Sequence, residues 1–131
     1  MGGRGTASLE RALREIRPGS ASSEETRLRL ALLRAGLPEP ELNWDLRDAD
    51  GRLIAVLDLA YIRWRLDVEY DGRQHAEDAE QYRRDVQRRV DVRSQGWEEV
   101  QILKHHMRGD GRQAVAIVRA ALVRAGWRGE G

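Results

Sequence analysis

Apolar residues recur along this 131-residue chain first at helical spacing, then in alternation, then at helical spacing again, and the changes of period divide it into elements. Leu9, Ala12, Leu13 and Ile16 predict a short amphipathic helix inside a Gly- and Ser-rich lead over residues 1–21. A stronger helix follows, with Ser22 and Glu25 in a capping-box pattern, Leu28 to Leu33 as its body, and Gly36 and Pro38 as its stop. Leu42, Trp44 and Leu46 then alternate with polar residues, Asp48-Ala49-Asp50-Gly51 signals a hairpin, and Leu53 to Ala60 is an apolar strand broken only by Asp58. Trp64, Leu66, Val68 and Tyr70 alternate as a third strand, so the natural reading is an antiparallel meander.

Asp71-Gly72 ends that sheet segment. Residues 77–95 predict a helix with Ala79, Tyr82, Val86 and Val90 on one side. Arg84 and Arg88 lie on another side, near Arg83, Arg89 and Arg93. Gly96 is a helix stop, Trp97 to Leu103 a fourth strand, and Gln113 to Ala125 a last helix. The expected class is α/β with a mixed α+β sheet, as one domain over residues 22–127.

Composition narrows the function. Twenty-three basic and 22 acidic residues leave a formal net charge of +1, which excludes a uniformly basic nucleic-acid wrapper. There is no cysteine, hence no disulfide framework and no Cys-ligated zinc. The longest apolar run is too short for a bilayer and no export signal opens the chain, so the expectation is a cytoplasmic protein without a membrane partner. Lys104 is the single lysine among 22 arginines, so any catalytic lysine has one candidate.

Asp58 is the informative oddity. An unpaired carboxylate in a buried strand costs several kcal/mol, so it needs a partner, a metal or a raised pKa. If residues 62–65 form the connection, Glu69 faces it across the hairpin; a tighter turn puts Asp67 there instead. Two carboxylates about 4–5 Å apart repel unless a cation lies between them, and hard oxygen donors favour Mg²⁺ or Mn²⁺. An arginine partner is the structural alternative. His75 reads either as a surface-loop histidine or as a group within reach of a metal-bound water, its pKa raised by a neighbour such as Asp71. Glu25 reads either as the capping-box residue or as a catalytic carboxylate. His105 and His106, adjacent at a strand end, are expected to point apart and to chelate poorly. The arginines of 77–95 form either a solvated face or a phosphate-contacting stripe, with Arg73, Arg84 and Arg88 as the candidate nucleic-acid contacts.

The strings Leu57-Asp58-Leu59-Ala60, Val68-Glu69-Tyr70-Asp71-Gly72-Arg73-Gln74-His75, Tyr82-Arg83-Arg84-Asp85 and Gly96-Trp97 resemble a bacterial family of restriction-endonuclease-like fold. That family, a domain of unknown function, is related to very-short-patch mismatch-repair endonucleases within the PD-(D/E)xK superfamily. The resemblance covers about residues 20–103. It implies a mixed four-stranded sheet flanked by helices and a Mg²⁺-dependent DNA endonuclease. By that resemblance Asp58 and Glu69 bind the metal, the Tyr70 carbonyl is a backbone ligand, Glu25 assists, and His75 acts near the scissile phosphate. The superfamily's usual lysine position, two residues after the glutamate, holds Asp71. The zinc-binding cysteines and histidine of the mismatch-repair relatives are absent. Longer members carry an N-terminal winged-helix segment of antitoxin type, so a missing domain, a homodimer, or a non-cutting module of a toxin–antitoxin or phage-defence system are the alternatives.

Overall fold

The computed structural model describes residues 21–72 and 78–129. The expected helix around residues 9–16, Arg73 and His75 lie outside them. Helix α1 runs Ala21–Arg34, followed by β1 (Glu41–Arg47), β2 (Leu53–Tyr61), β3 (Leu66–Asp71), α2 (Ala79–Ser94), β4 (Glu98–Leu103) and α3 (Arg112–Arg124). The strands form one mixed sheet in the order β1-β2-β3-β4, with the first two pairings antiparallel and β3–β4 parallel. The α+β class therefore holds, as a four-stranded mixed sheet with helices. No helix among the described residues is long and apolar enough to cross a membrane.

Local chemistry explains the boundaries. The carbonyl of Leu32 accepts from the Leu37 N–H at 3.1 Å while Gly36 sits at φ 84°, the left-handed helix stop that its sequence signals. Helix α1 begins at Ala21, so Ser22 is inside its first turn and the expected cap does not sit there. In the β1–β2 hairpin, Asp48 Oδ1 accepts from the Asp50 and Arg52 N–H groups at 2.9 Å each, and Gly51 takes φ 84°. The third strand starts at Leu66, not Trp64, because Ile62–Trp64 form a 3₁₀ turn that Arg65 closes at φ 52°.

Two apolar clusters flank the sheet. Leu28 and Leu32 of α1 and Val118 and Leu122 of α3 pack on Leu59, Tyr61, Leu66, Val68 and Ile102. The other cluster joins Leu46, Leu57, Ala60, Val92 and Trp97, with Trp44 stacked on Trp97 at 5.3 Å. Leu42, on the apolar side of the expected alternation, is 41% exposed; Asn43 at φ 48° breaks the alternation before Trp44.

Helix α2 corrects the sequence reading. Its apolar side is exposed, with Tyr82 at 60% and Val90 at 54%, and only Val92 of the helix is buried. The reason lies beneath it. The strand face it covers carries Asp67, Glu69 and Glu99, so the helix turns Arg88 and Arg89 inward to meet charge instead of turning valines inward to meet oil.

Candidate active site

The 62–65 connection fixes the register of β2 on β3. Tyr61 pairs with Leu66, Ala60 with Asp67 and Leu59 with Val68, which carries Asp58 to Glu69 one step on. The Asp58 backbone N–H donates to Glu69 Oε2 at 2.9 Å. Of the two arrangements left open by the sequence, Asp58 facing Glu69 is the one found. The Tyr70 backbone N–H supports the Asp58 carboxylate by hydrogen bonding.

Asp67 is the residue the sequence reading underrated. It alternates with Leu66 and Val68, which reads as a solvent-facing position, yet it is fully buried. The signal available was its place on a strand paired on both sides and crossed by a helix, where neither face meets water. Its carboxylate oxygens meet no nitrogen or hydroxyl donor at hydrogen-bond distance among the described residues, and its cation contact is Arg88 Nη1 at 3.5 Å. Parallel pairing puts Glu99 beside it on β4.

Arg88 ties this group together. Its Nη2 lies 3.1 Å from Glu69 Oε2 and donates to the Val56 carbonyl at 2.9 Å, while its Nη1 bonds Glu99 Oε1 at 2.5 Å. Arg89 Nε donates to the other Glu99 oxygen at 3.2 Å. Asp58, Asp67, Glu69 and Glu99 thus share two guanidinium groups, a shortage of positive charge in a sheltered place.

Asp58, Asp67 and Glu69 answer by holding protons more tightly. Burial, then the charge and a shared proton from Glu69, pushes Asp58 up to about 7 against the pull of Arg88 and the Tyr70 N–H. Glu69 is pushed up to about 8 by burial and then by sharing a proton with Asp67, against the Asp58 N–H and Arg88. Burial also drives Asp67 upward, with Glu99 adding to it and Arg88 opposing. A proton held between the Asp67 and Glu69 carboxyls supplies the hydrogen bond that two carboxylates cannot make.

Glu25 of α1 joins this centre. Its pKa is raised by burial and by the charge of Asp58, so the helix brings it into the field of that carboxylate. Tyr70 is bracketed by acids: burial, Glu24 and Asp71 raise its phenol, which shares a hydrogen bond with Glu24. Asp71 stands at the end of β3 beside Leu103 and, with Glu69, Asp85, Arg88, Glu99 and Gln101, lines a cavity of about 140 Å³. Arg84 and Arg88 part company, since Arg84 is exposed and, among the described residues, bonds only Gln81 at 3.0 Å. Residues 104–107 form a 3₁₀ turn, so His105 and His106, expected to point apart, are in ring contact at 4.1 Å.

Two questions follow for a metal. Among the described residues, no group of three or more His, Cys, Asp or Glu is disposed to hold one. The Asp58–Glu69 pair does offer oxygen donors only, in a place short of cations. That suits Mg²⁺, which takes one or two carboxylates and keeps much of its water. Comparison with family models, curated proteins and solved structures finds no match for the chain.

Proposed function

We propose that this chain is a Mg²⁺- or Mn²⁺-dependent endonuclease that hydrolyses phosphodiester bonds in DNA, of the restriction-endonuclease-like kind its sequence resembles. The observation that carries the reading is the Asp58–Glu69 pair: two carboxylates brought together on adjacent strands at a site with too little positive charge. Asp58 and Glu69 would hold the ion, with the Tyr70 carbonyl beside them. A divalent cation there supplies neutralisation of phosphate charge and a more acidic water. The chain's own residues do the rest. Arg88 holds the Glu69 carboxylate in place through Nη2. Glu25, its pKa raised by burial and by the charge of Asp58, would be the carboxyl group that takes up or passes on a proton beside the pair.

One observation favours a second reading. Arg88 already occupies Glu69, and Asp71 stands where a lysine would complete the superfamily's site. A nuclease fold that binds nucleic acid or a protein partner without cutting has the same carboxylates neutralised in this way. Nicking of supercoiled plasmid in Mg²⁺, Mn²⁺ or EDTA, with Asp58→Ala as control, separates the two. Metal-dependent nicking lost in Asp58→Ala establishes the nuclease; no nicking by wild type in either metal establishes the binding module.

A further inference from the structure

Among the described residues, α2 offers a polyanion few free cations. Arg83 is paired with Glu80 at 2.6 Å, and Arg88 and Arg89 are committed to carboxylates, which leaves Arg84 and Arg93 as the arginines of that helix outside an ion pair. A cluster of largely unpaired charge lies across the molecule, where α1, the Lys104–Met107 turn and the start of α3 enclose two adjoining hollows of about 700 and 620 Å³. Arg27, Arg34, Lys104, Arg108 and Arg112 line them against two carboxylates, Glu24 and Asp110. Arg34, Lys104 and Arg108 make no ion pair among the described residues, and Arg112 reaches Asp110 only at 3.9 Å. For a chain whose whole net charge is +1, this is a marked local surplus.

Between the cations the floor is apolar, made by Leu30, Ala31, Ala35, Met107 and Val115. Close approach of the elements makes that floor. At Gly111, with φ 76°, an added Cβ would stand 3.2 Å from Ala31 Cβ.

We propose that this groove is the track for a DNA backbone, leading to the Asp58–Glu69 centre. Phosphates would meet the guanidinium and ammonium groups of the rim, and sugar faces the apolar floor. Continuity with the centre is covalent and hydrogen-bonded. Glu24 lines the groove and bonds the Tyr70 phenol, and the Tyr70 backbone N–H bonds Asp58. Leu103 lines the groove and pairs with Asp71 at the end of β3. Lys104, the single lysine, thereby acquires a phosphate-binding role. The direction of the track rests on the nuclease reading; the binding surface itself does not.

The test is fluorescence anisotropy of a labelled DNA duplex with the full chain in EDTA across a NaCl series. Lys104→Ala, Arg108→Ala and Arg112→Ala are combined in one variant, all at exposed positions. It should bind roughly tenfold or more weakly at moderate salt, with the slope of log K against log salt shallower by about 2–3. Arg84→Ala with Arg93→Ala on α2 should change affinity less than about twofold. Lysine at both 108 and 112, with Lys104 kept, should restore binding, and matching thermal melts exclude misfolding. Wild-type affinity in the groove variant, loss in the α2 variant instead, no DNA binding by wild type, or tighter binding to an RNA duplex of the same sequence each overturns the proposal. Plasmid nicking in Mg²⁺ distinguishes the two ideas. Groove-dependent binding without nicking sinks the nuclease and keeps the track, while nicking with groove-independent binding does the reverse.

Discussion

Replacing Glu69 by glutamine should stabilise the metal-free protein. Glu69 titrates at about 8 in the folded chain and its ordinary value is 4.5, so the folded state holds a proton over a pH range in which the unfolded state has released it. Stability is therefore intact below about pH 4.5 and falls as pH rises towards 8. Taken alone, that difference penalises folding by about 5 kcal/mol above pH 8. Part of the proton affinity belongs jointly to Asp67, and Glu69→Gln also gives up attraction to Arg88 at 3.1 Å, so about 2 kcal/mol is the expected net gain. For a domain of this size that is a rise in Tm of roughly 6 °C. Glutamine keeps an acceptor for the Asp58 N–H and matches the shape. The assay is thermal unfolding by circular dichroism in EDTA at pH 5 and pH 8. Wild type should melt lower at pH 8 than at pH 5, the variant should show a smaller difference, and the gap between them should be largest at pH 8. A variant that melts below wild type at pH 8 refutes the reasoning, because Glu69 would then be worth more as the partner of Arg88 than it costs as a buried charge.

Arg88→Met should destabilise by about 3–5 kcal/mol, since it leaves Asp67, Glu69 and half of Glu99 buried without their cation, and denaturant unfolding should show the loss growing from pH 5 to pH 8. Arg84→Ala, on the exposed side, should stay within about 0.5 kcal/mol of wild type in the same experiment. Calorimetric titration of Mn²⁺ should show binding by wild type that is roughly tenfold or more weaker in Asp58→Asn, with proton release near pH 7 because the ion displaces protons from Asp58 and Glu69; equal binding by both proteins removes the metal from this pair. Gly96→Ala should cost about 1–2 kcal/mol by chemical denaturation, since Gly96 sits at φ 83° and an added Cβ would lie 3.2 Å from Arg65 Nη1.

Much of this architecture was legible in the periodicity. The hairpin turn at Asp48–Gly51, the stops at Gly36 and Gly96, and the helix of residues 112–124 follow from residues whose backbone preferences are local. The Asp58–Glu69 encounter was legible for a different reason: a carboxylate in an apolar strand has to be answered by something, and the hairpin geometry offered only two candidates. What chose between them was the conformation of Arg65, a non-glycine residue in the left-handed region, and no pattern of apolar positions announces that.

The orientation of α2 was illegible because hydrophobic periodicity assumes an apolar floor. Tyr82, Val86 and Val90 mark the most apolar side of that helix, and a floor of valines would have drawn it in. Here the floor is assembled from two strands that the sequence separates, with Asp67 on β3 and Glu99 on β4 becoming neighbours only through parallel pairing. Each acid alone reads as an ordinary solvated position, and so does each arginine of the helix. Once paired, the acids under α2 make burying valine there more costly than burying Arg88, because uncompensated charge in a sheltered place outweighs the gain from covering a few methyl groups. The exposed valines are therefore the consequence of the buried acids. The same choice that costs the helix its apolar contact brings a guanidinium to within 3.1 Å of Glu69, which makes the packing of α2 and the electrostatics of the candidate site one problem.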